Sequence, residues 1–208
     1  MPGATSEAVY CAVARNEVER QQVYRLRYAC YLRTGAIAPL PDEQFSDPFD
    51  TAPNQFSFLC RGGGVPLATV RVSVVLPDVG WLEAPSRHVY GDDPAFHRIA
   101  RGAFVEASRL CFAAQARRDA FVRLVANMAA LADLYDVGWL VACPRVEHCH
   151  AYQRLFGFRA LAGPRRYFGV NFKTQLLGIR PDELRKFVAG RKVIVDAWDE
   201  ALRVLSAA

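Results

Sequence analysis

Lysine is nearly absent: only Lys173, Lys186 and Lys192 occur among the 26 basic residues, and the rest are arginine. Arginine grips carboxylates and phosphates bidentately, so this bias suits acidic ligands. No apolar run approaches the ~18 residues of a membrane span. No basic segment opens the chain, so a cleaved signal peptide is not expected and a cytoplasmic setting is. There is no long basic run and no aromatic-interleaved RNA motif, so the net charge of +5 points to an acidic partner and not to nucleic acid. None of the six cysteines forms a C-x-x-C pair, and several sit in apolar runs such as Leu110-Cys111-Phe112 and Val141-Ala142-Cys143. They are expected to be small buried thiols of a reducing compartment. His148-Cys149-His150 has no second ligand pair, so no metal site is expected.

What is there fits one globular domain over residues 1–208, with 52% hydrophobic and 23% charged residues and no internal repeat or linker. Residues 1–14 are weakly patterned and are expected to be a frayed lead-in. Residues 15–34 read as an amphipathic helix stopped by Gly35. Residues 36–54 form a long loop holding Pro39, Pro41, Pro48 and Pro53 with Asp42, Glu43, Asp47 and Asp50, and such loops are often functional. Strands at 56–61 and 67–75 flank Gly62-Gly63-Gly64 as a hairpin. An irregular excursion over 76–102 follows. Then come a strand at 104–112, a helix at 118–135, a short strand at 139–143 buried on both faces, and a helix from Pro144 to about 156. Residues 158–161 and 167–177 read as a closing pair of strands, and residues 180–208 as a helical extension. A βαβα run after an antiparallel hairpin predicts an α/β (α+β) fold: a mixed, mostly antiparallel sheet with helices on both faces.

Charges inside apolar elements are the chemical signal. Arg27 and Tyr31 lie on the apolar side of the first helix. Asp47-Pro48-Phe49-Asp50 sets two acids three apart. Arg71 sits mid-strand in Ala68-Thr69-Val70-Arg71-Val72. Glu106 and Arg109 share Phe104-Val105-Glu106-Ala107-Ser108-Arg109-Leu110. Strand alternation puts those two on opposite faces unless a bulge intervenes. Each charge alone reads as an independent ion pair. Because buried charges are costly unless paired, two acids, Glu106 and three arginines sharing one cleft is a coherent alternative.

Together with Tyr152-Gln153-Arg154-Leu155-Phe156-Gly157-Phe158, these motifs resemble the GNAT acyltransferase superfamily over roughly residues 20–175. The resemblance is narrowest to the branch of long-chain N-acyl amino acid synthases and acyl-homoserine lactone (autoinducer) synthases. It implies a GNAT-like fold and transfer of a fatty acyl group from a thioester to an amine. It implies Glu106, Arg109 and Tyr152 in catalysis, and Arg27, Tyr31, Asp47, Asp50 and Arg71 on the acceptor substrate. It places Phe112, Ala113, Gln115, Arg117 and Arg118 on the acyl donor, with no metal and no bound cofactor.

Three departures qualify it. The pyrophosphate motif (Q/R)-x-x-G-x-(G/A) aligns with Gln115-Ala116-Arg117-Arg118-Asp119-Ala120, whose middle glycine is Arg118. Close backbone approach to a pyrophosphate is then hindered, which favours an acidic acyl carrier protein over acyl-CoA as donor and partner. Ile37 stands where autoinducer synthases usually have tryptophan, which favours an amino acid over S-adenosylmethionine as acceptor. Tyr152 lies five residues before Gly157, whereas the family's catalytic tyrosine lies four before, at Gln153 here. A non-catalytic module that binds acyl carrier or lipid is the alternative from another class.

Overall fold

The computed structural model describes residues 8–116 and 118–207. In chain order the elements are β1 (Tyr10–Val13), α1 (Glu17–Arg33), β2 (Gln55–Gly62), β3 (Val65–Val75), α2 (Pro85–Tyr90), α3 (Pro94–Ile99), β4 (Phe104–Phe112), α4 (Arg118–Leu134), β5 (Trp139–Ala142), α5 (Cys149–Phe156), β6 (Arg159–Ala160), β7 (Arg165–Arg166), β8 (Lys173–Thr174), β9 (Leu177–Ile179), α6 (Pro181–Val188) and α7 (Lys192–Ser206). Seven strands form one sheet in the order β1-β2-β3-β4-β5-β9-β6, antiparallel except for the parallel β4–β5 pair. The expected mixed, mostly antiparallel sheet is therefore present. No helix among the described residues is long and apolar enough to cross a membrane.

Local chemistry explains the main elements. Asn16 caps α1 by accepting the Glu19 N–H, and Gly35 at φ 64° turns the chain away beyond the helix. Gly63 and Gly64, both at positive φ, make the tight β2–β3 turn whose twist matches the strands. On one face Val70, Val72, Val74 and Val105 pack under Leu124, Met128 and Leu131 of α4 and Trp198 of α7. On the other, Val23, Leu26 and Cys30 of α1 cover Leu59 and Cys111, while Tyr90, Phe96 and Ile99 of α2 and α3 cover Val75, Phe104 and Val141.

The sheet opens at one point. The β4–β5 pairing runs only from Phe104↔Trp139 to Ala107↔Ala142. β4 continues to Phe112, while the chain leaves β5 at Cys143-Pro144. Within β4 the register against β3 shifts: Ser108 faces Arg71 and Cys111 faces Thr69, so Arg109 and Leu110 together oppose Val70. That is a β-bulge, and Arg109 takes it up at φ 55°.

Four expectations are corrected. Tyr10–Val13 is an edge strand on β2, not a lead-in; four residues are too short to show a period. Residues 76–102 contain the proline-started helices α2 and α3, each only six residues. The strand expected over 167–177 is broken: a loop through Gly169 at φ 72° separates β7 from β8, and Leu176 turns into the core. Cys11 and Cys60 are joined by a disulfide, leaving four free thiols, because the β1–β2 register sets them directly opposite.

Candidate active site

The D-x-x-D pair builds its own platform. Asp47 accepts the Phe49 N–H at 3.0 Å, and Asp50 accepts the Asp47 N–H at 3.0 Å, closing a reciprocal capping box on a single 3₁₀ turn, Pro48–Thr51. Their remaining oxygens face three arginines from three elements. Arg27 of α1 donates to Asp50 at 2.7 Å and to Ser57 Oγ at 3.0 Å. Arg71 of β3 donates to Asp47 at 2.5 Å, lies 3.1 Å from Asp50, and donates to Ser108 Oγ at 3.1 Å. Arg109 grips Asp47 Oδ2 through Nε at 3.0 Å and Nη2 at 2.7 Å. Burial works against charge on Asp47, but Arg71 and Arg109 outweigh it and hold its pKa down at about 2.

The bulge makes this cluster possible. It brings Arg109 to the face occupied by Arg71 and Ser108, where regular alternation would have sent it to the opposite one. There the guanidinium is boxed by rings: its carbon lies 4.8 Å from the Phe45 ring centre, 5.5 Å from Tyr167, 5.7 Å from Phe168 and 5.8 Å from Tyr31. Three buried donors of the region, Arg27 Nε, Arg71 Nη2 and Tyr167 Oη, have no hydrogen-bond partner among the described residues. Buried polar groups are normally satisfied, so these mark where a ligand's oxygens would be welcome.

Glu106 is fully buried on the same side but makes no ion pair with the arginines among the described residues. Its carboxylate accepts the Ser86 N–H at 2.9 Å and the Ser86 hydroxyl at 2.5 Å, at the start of α2. Burial raises its pKa to about 7, with the Ser86 hydrogen bonds and then Arg71 and Arg109 pulling the other way.

A cavity of about 360 Å³ fills the gap where β4 and β5 part. Its walls are Ser108, Arg109 and Phe112 of β4, Tyr31 and Cys30 of α1, Cys143-Pro144 beyond β5, and Tyr152, Leu155 and Phe156 of α5. A small apolar hollow shares Ala107, Leu110, Phe121, Tyr152 and Phe156 with it and continues to Val125 and Met128 of α4. Tyr152 thus faces the cavity despite its spacing from Gly157, while Gln153 is exposed. Burial pushes the Tyr152 hydroxyl up, so it stays protonated at neutral pH.

The structure therefore brings Arg27, Arg71, Arg109, Asp47 and Asp50 into one cluster, sets Tyr31 between it and the cavity, and puts Phe112 and Tyr152 on the cavity wall. Glu106 stands behind that wall. Ala113 is tied back to Leu67 by its N–H at 2.8 Å, and Gln115 and Arg118 are exposed on the turn into α4. Arg117 lies outside the described residues. Asp119 accepts the Ala120 N–H at 3.0 Å, so a carboxylate already stands at this helix start. Ser108 is the serine of the Glu106–Arg109 motif, whereas Ser86, Phe45, Tyr167 and Phe168 were not singled out from sequence. The proline before Ser86, which starts a helix, was the one available signal.

The family model for the N-acyl amino acid synthase FeeM matches residues 22–180. Among solved structures, FeeM, an N-acyl amino acid synthase from uncultured soil microbes, superposes with a TM-score of 0.72 at 16% identity, covering 87% of this chain and 95% of that one. The CoA-dependent acyl-homoserine lactone synthase BjaI, solved with MTA, gives 0.57 at 16% identity over 94% and 89% of the two chains. The acyl-homoserine lactone synthase LasI gives 0.60 at 12% identity over 83% and 90%. No curated protein matches the sequence.

Proposed function

We propose that this chain, which belongs to the N-acyl amino acid synthase FeeM family and is a GNAT-type acyltransferase, moves a fatty acyl group from a carrier-protein thioester to the amine of an amino acid. The observation that carries this reading is the apolar-walled cavity between the parted strands, lying directly against a buried arginine–aspartate cluster. An acyl thioester in the cavity would lay its chain along Leu110, Phe121 and Phe156 toward the apolar hollow. The acceptor carboxylate would meet Arg71, whose Nη2 lacks a partner, as Tyr167 Oη does.

Each residue then has a task. The amine, with a pKa near ~8, must lose a proton to attack the thioester carbonyl, and Glu106, raised to about 7 and set behind the cavity wall, would take it through an intervening water. The bulge at Arg109 would turn backbone N–H groups toward the developing oxyanion. Tyr152 would hand a proton to the departing thiolate. Arg109, locked by Asp47 and four rings, holds the bulge in place. Because a thiolate is itself a fair leaving group, Tyr152→Phe is expected to lower kcat by only about tenfold, with KM for the donor unchanged. Single-turnover thiol release would check this, and an unchanged rate would remove Tyr152 from the mechanism.

Arg118 replaces the glycine that would let a pyrophosphate approach, and it is exposed where an acidic carrier would dock. Arg118→Glu is expected to raise KM for acyl carrier protein by about tenfold, or ~1.4 kcal/mol, while leaving the KM for acyl-pantetheine unchanged. Equal effects on both donors would contradict a carrier-docking role. The reading as a whole is tested by offering the purified protein a long-chain acyl carrier protein with the twenty amino acids and, separately, S-adenosylmethionine. Mass spectrometry should find an N-acyl amino acid; a homoserine lactone would move the chain to the autoinducer reaction.

A further inference from the structure

The solvent end of the cavity carries charge that the proposed transfer leaves unused. Among the lining residues Arg33, Thr34, His148 and Ala151 are exposed, so they mark its mouth. The lining holds three arginines and, among the described residues, no acid. Asp47 neutralises one of them, Arg109. Arg33, in the last turn of α1, is tied by one N–H to the Phe112 carbonyl oxygen at 2.9 Å and has no acidic partner among the described residues. Arg145, beyond β5, lays its guanidinium over the Phe172 ring at 4.6 Å. Its Nε is buried without a hydrogen-bond partner among the described residues, and Glu147, on an exposed side chain, stays 3.6 Å away. An open, buried guanidinium N–H on a residue of the cavity wall suits an anionic oxygen.

The layout of the cavity says which anion. A donor whose thioester lies at the bulge, with its acyl chain toward Phe121 and Phe156, must lead its thiol arm out through the mouth. In acyl carrier protein and in coenzyme A alike, that arm is pantetheine joined to a phosphate. The start of α4 is a poor place for this phosphate, because the Asp119 carboxylate already accepts the Ala120 N–H there and repels a second anion. We propose that Arg33 and Arg145 clamp the phosphate of the donor's phosphopantetheine arm. The Phe112 carbonyl fixes one guanidinium and the Phe172 ring the other, so little side-chain freedom is lost on binding. The clamp reads the phosphate common to both donors, whereas Arg118 meets the carrier's surface. The inference rests on the cavity being the acyl-donor site.

The test compares lauroyl-phosphopantetheine with lauroyl-pantetheine, which differ only in this phosphate, by calorimetric titration of the full-length protein. The phosphorylated form is expected to bind about tenfold more tightly. A double variant, Arg33→Gln with Arg145→Gln, should erase that preference and bind lauroyl-pantetheine as the parent does. In turnover it should raise KM for lauroyl-acyl carrier protein and for lauroyl-CoA by the same factor, with kcat kept. A preference that survives in the double variant, or a loss of affinity shared by both pantetheines, would overturn the proposal. So would a KM rise for one donor alone, which would put the arginines on the nucleotide or on the carrier's surface. Phosphate-dependent binding without N-acyl product would keep the clamp and remove the transfer; N-acyl product without a phosphate preference would do the reverse. Binding of neither pantetheine would overturn the clamp and the donor-site reading together.

Discussion

Asp47→Asn should destabilise the protein by about 3–5 kcal/mol and abolish measurable turnover. Asp47 takes bonds from Arg71 and Arg109 at once, and neither guanidinium is exposed to water. An amide in its place leaves Arg109 buried among Phe45, Tyr31, Tyr167 and Phe168 with no counter-charge. Removing one partner of a buried pair is far more damaging than the net worth of the pair. For a chain of this size the loss corresponds to a fall in Tm on the order of 10 °C. A loss under about 1 kcal/mol by denaturant melting would show that the cluster is not the tight network described. The same residue sets an acid limit. Its folded pKa of about 2 lies below its unfolded value near 3.8, so the stabilisation is fully present above about pH 4. It is lost as pH falls toward 2, and it amounts to about 2 kcal/mol.

Glu106→Gln is expected to separate activity from stability in the opposite way. As the proposed base, Glu106 should be worth about 10²–10⁴ in kcat. The fold, however, prefers it protonated, because its pKa is raised from 4.5 to about 7. Its contribution to stability is therefore full below pH 4.5 and falls by about 3 kcal/mol as pH rises through 7. Glutamine still accepts the Ser86 N–H and carries no charge, so the variant should lose that pH dependence and melt no lower than the parent at pH 8. Retained turnover would exclude Glu106 as the base. Lost turnover with a much lower Tm would assign it a purely structural role at the start of α2.

Much of this site was legible because buried charge is conspicuous in apolar strands. Arg71 and Glu106 declared themselves by their neighbours, and the D-x-x-D spacing is that of a capping box. The bulge at Arg109 was legible only as a condition: alternation required either opposite faces or an extra residue, and pairing against β3 decided it. The aromatic box could not be read, since Phe45 and Tyr167–Phe168 come from loops more than a hundred residues apart and rings in loops have no period. The loop around Gly169 was mistaken for strand because Tyr167, Phe168 and Leu176 supply strand-like residues whatever the backbone does. Tyr152 turned out better placed than its spacing implied. A 3₁₀ turn over Val146–His148 precedes α5, and the helix presents Tyr152 with Leu155 and Phe156 to the cavity.

The central claim is that a thioester and an amine exchange an acyl group between the cavity and the cluster. Its most direct test is stoichiometry: thiol released from long-chain acyl carrier protein, counted against N-acyl amino acid formed in the same tube. The account predicts one thiol per N-acyl product, and no sustained thiol release without an amine. Thiol release matched by free fatty acid, or donor that binds and releases nothing when amines are added, would contradict it.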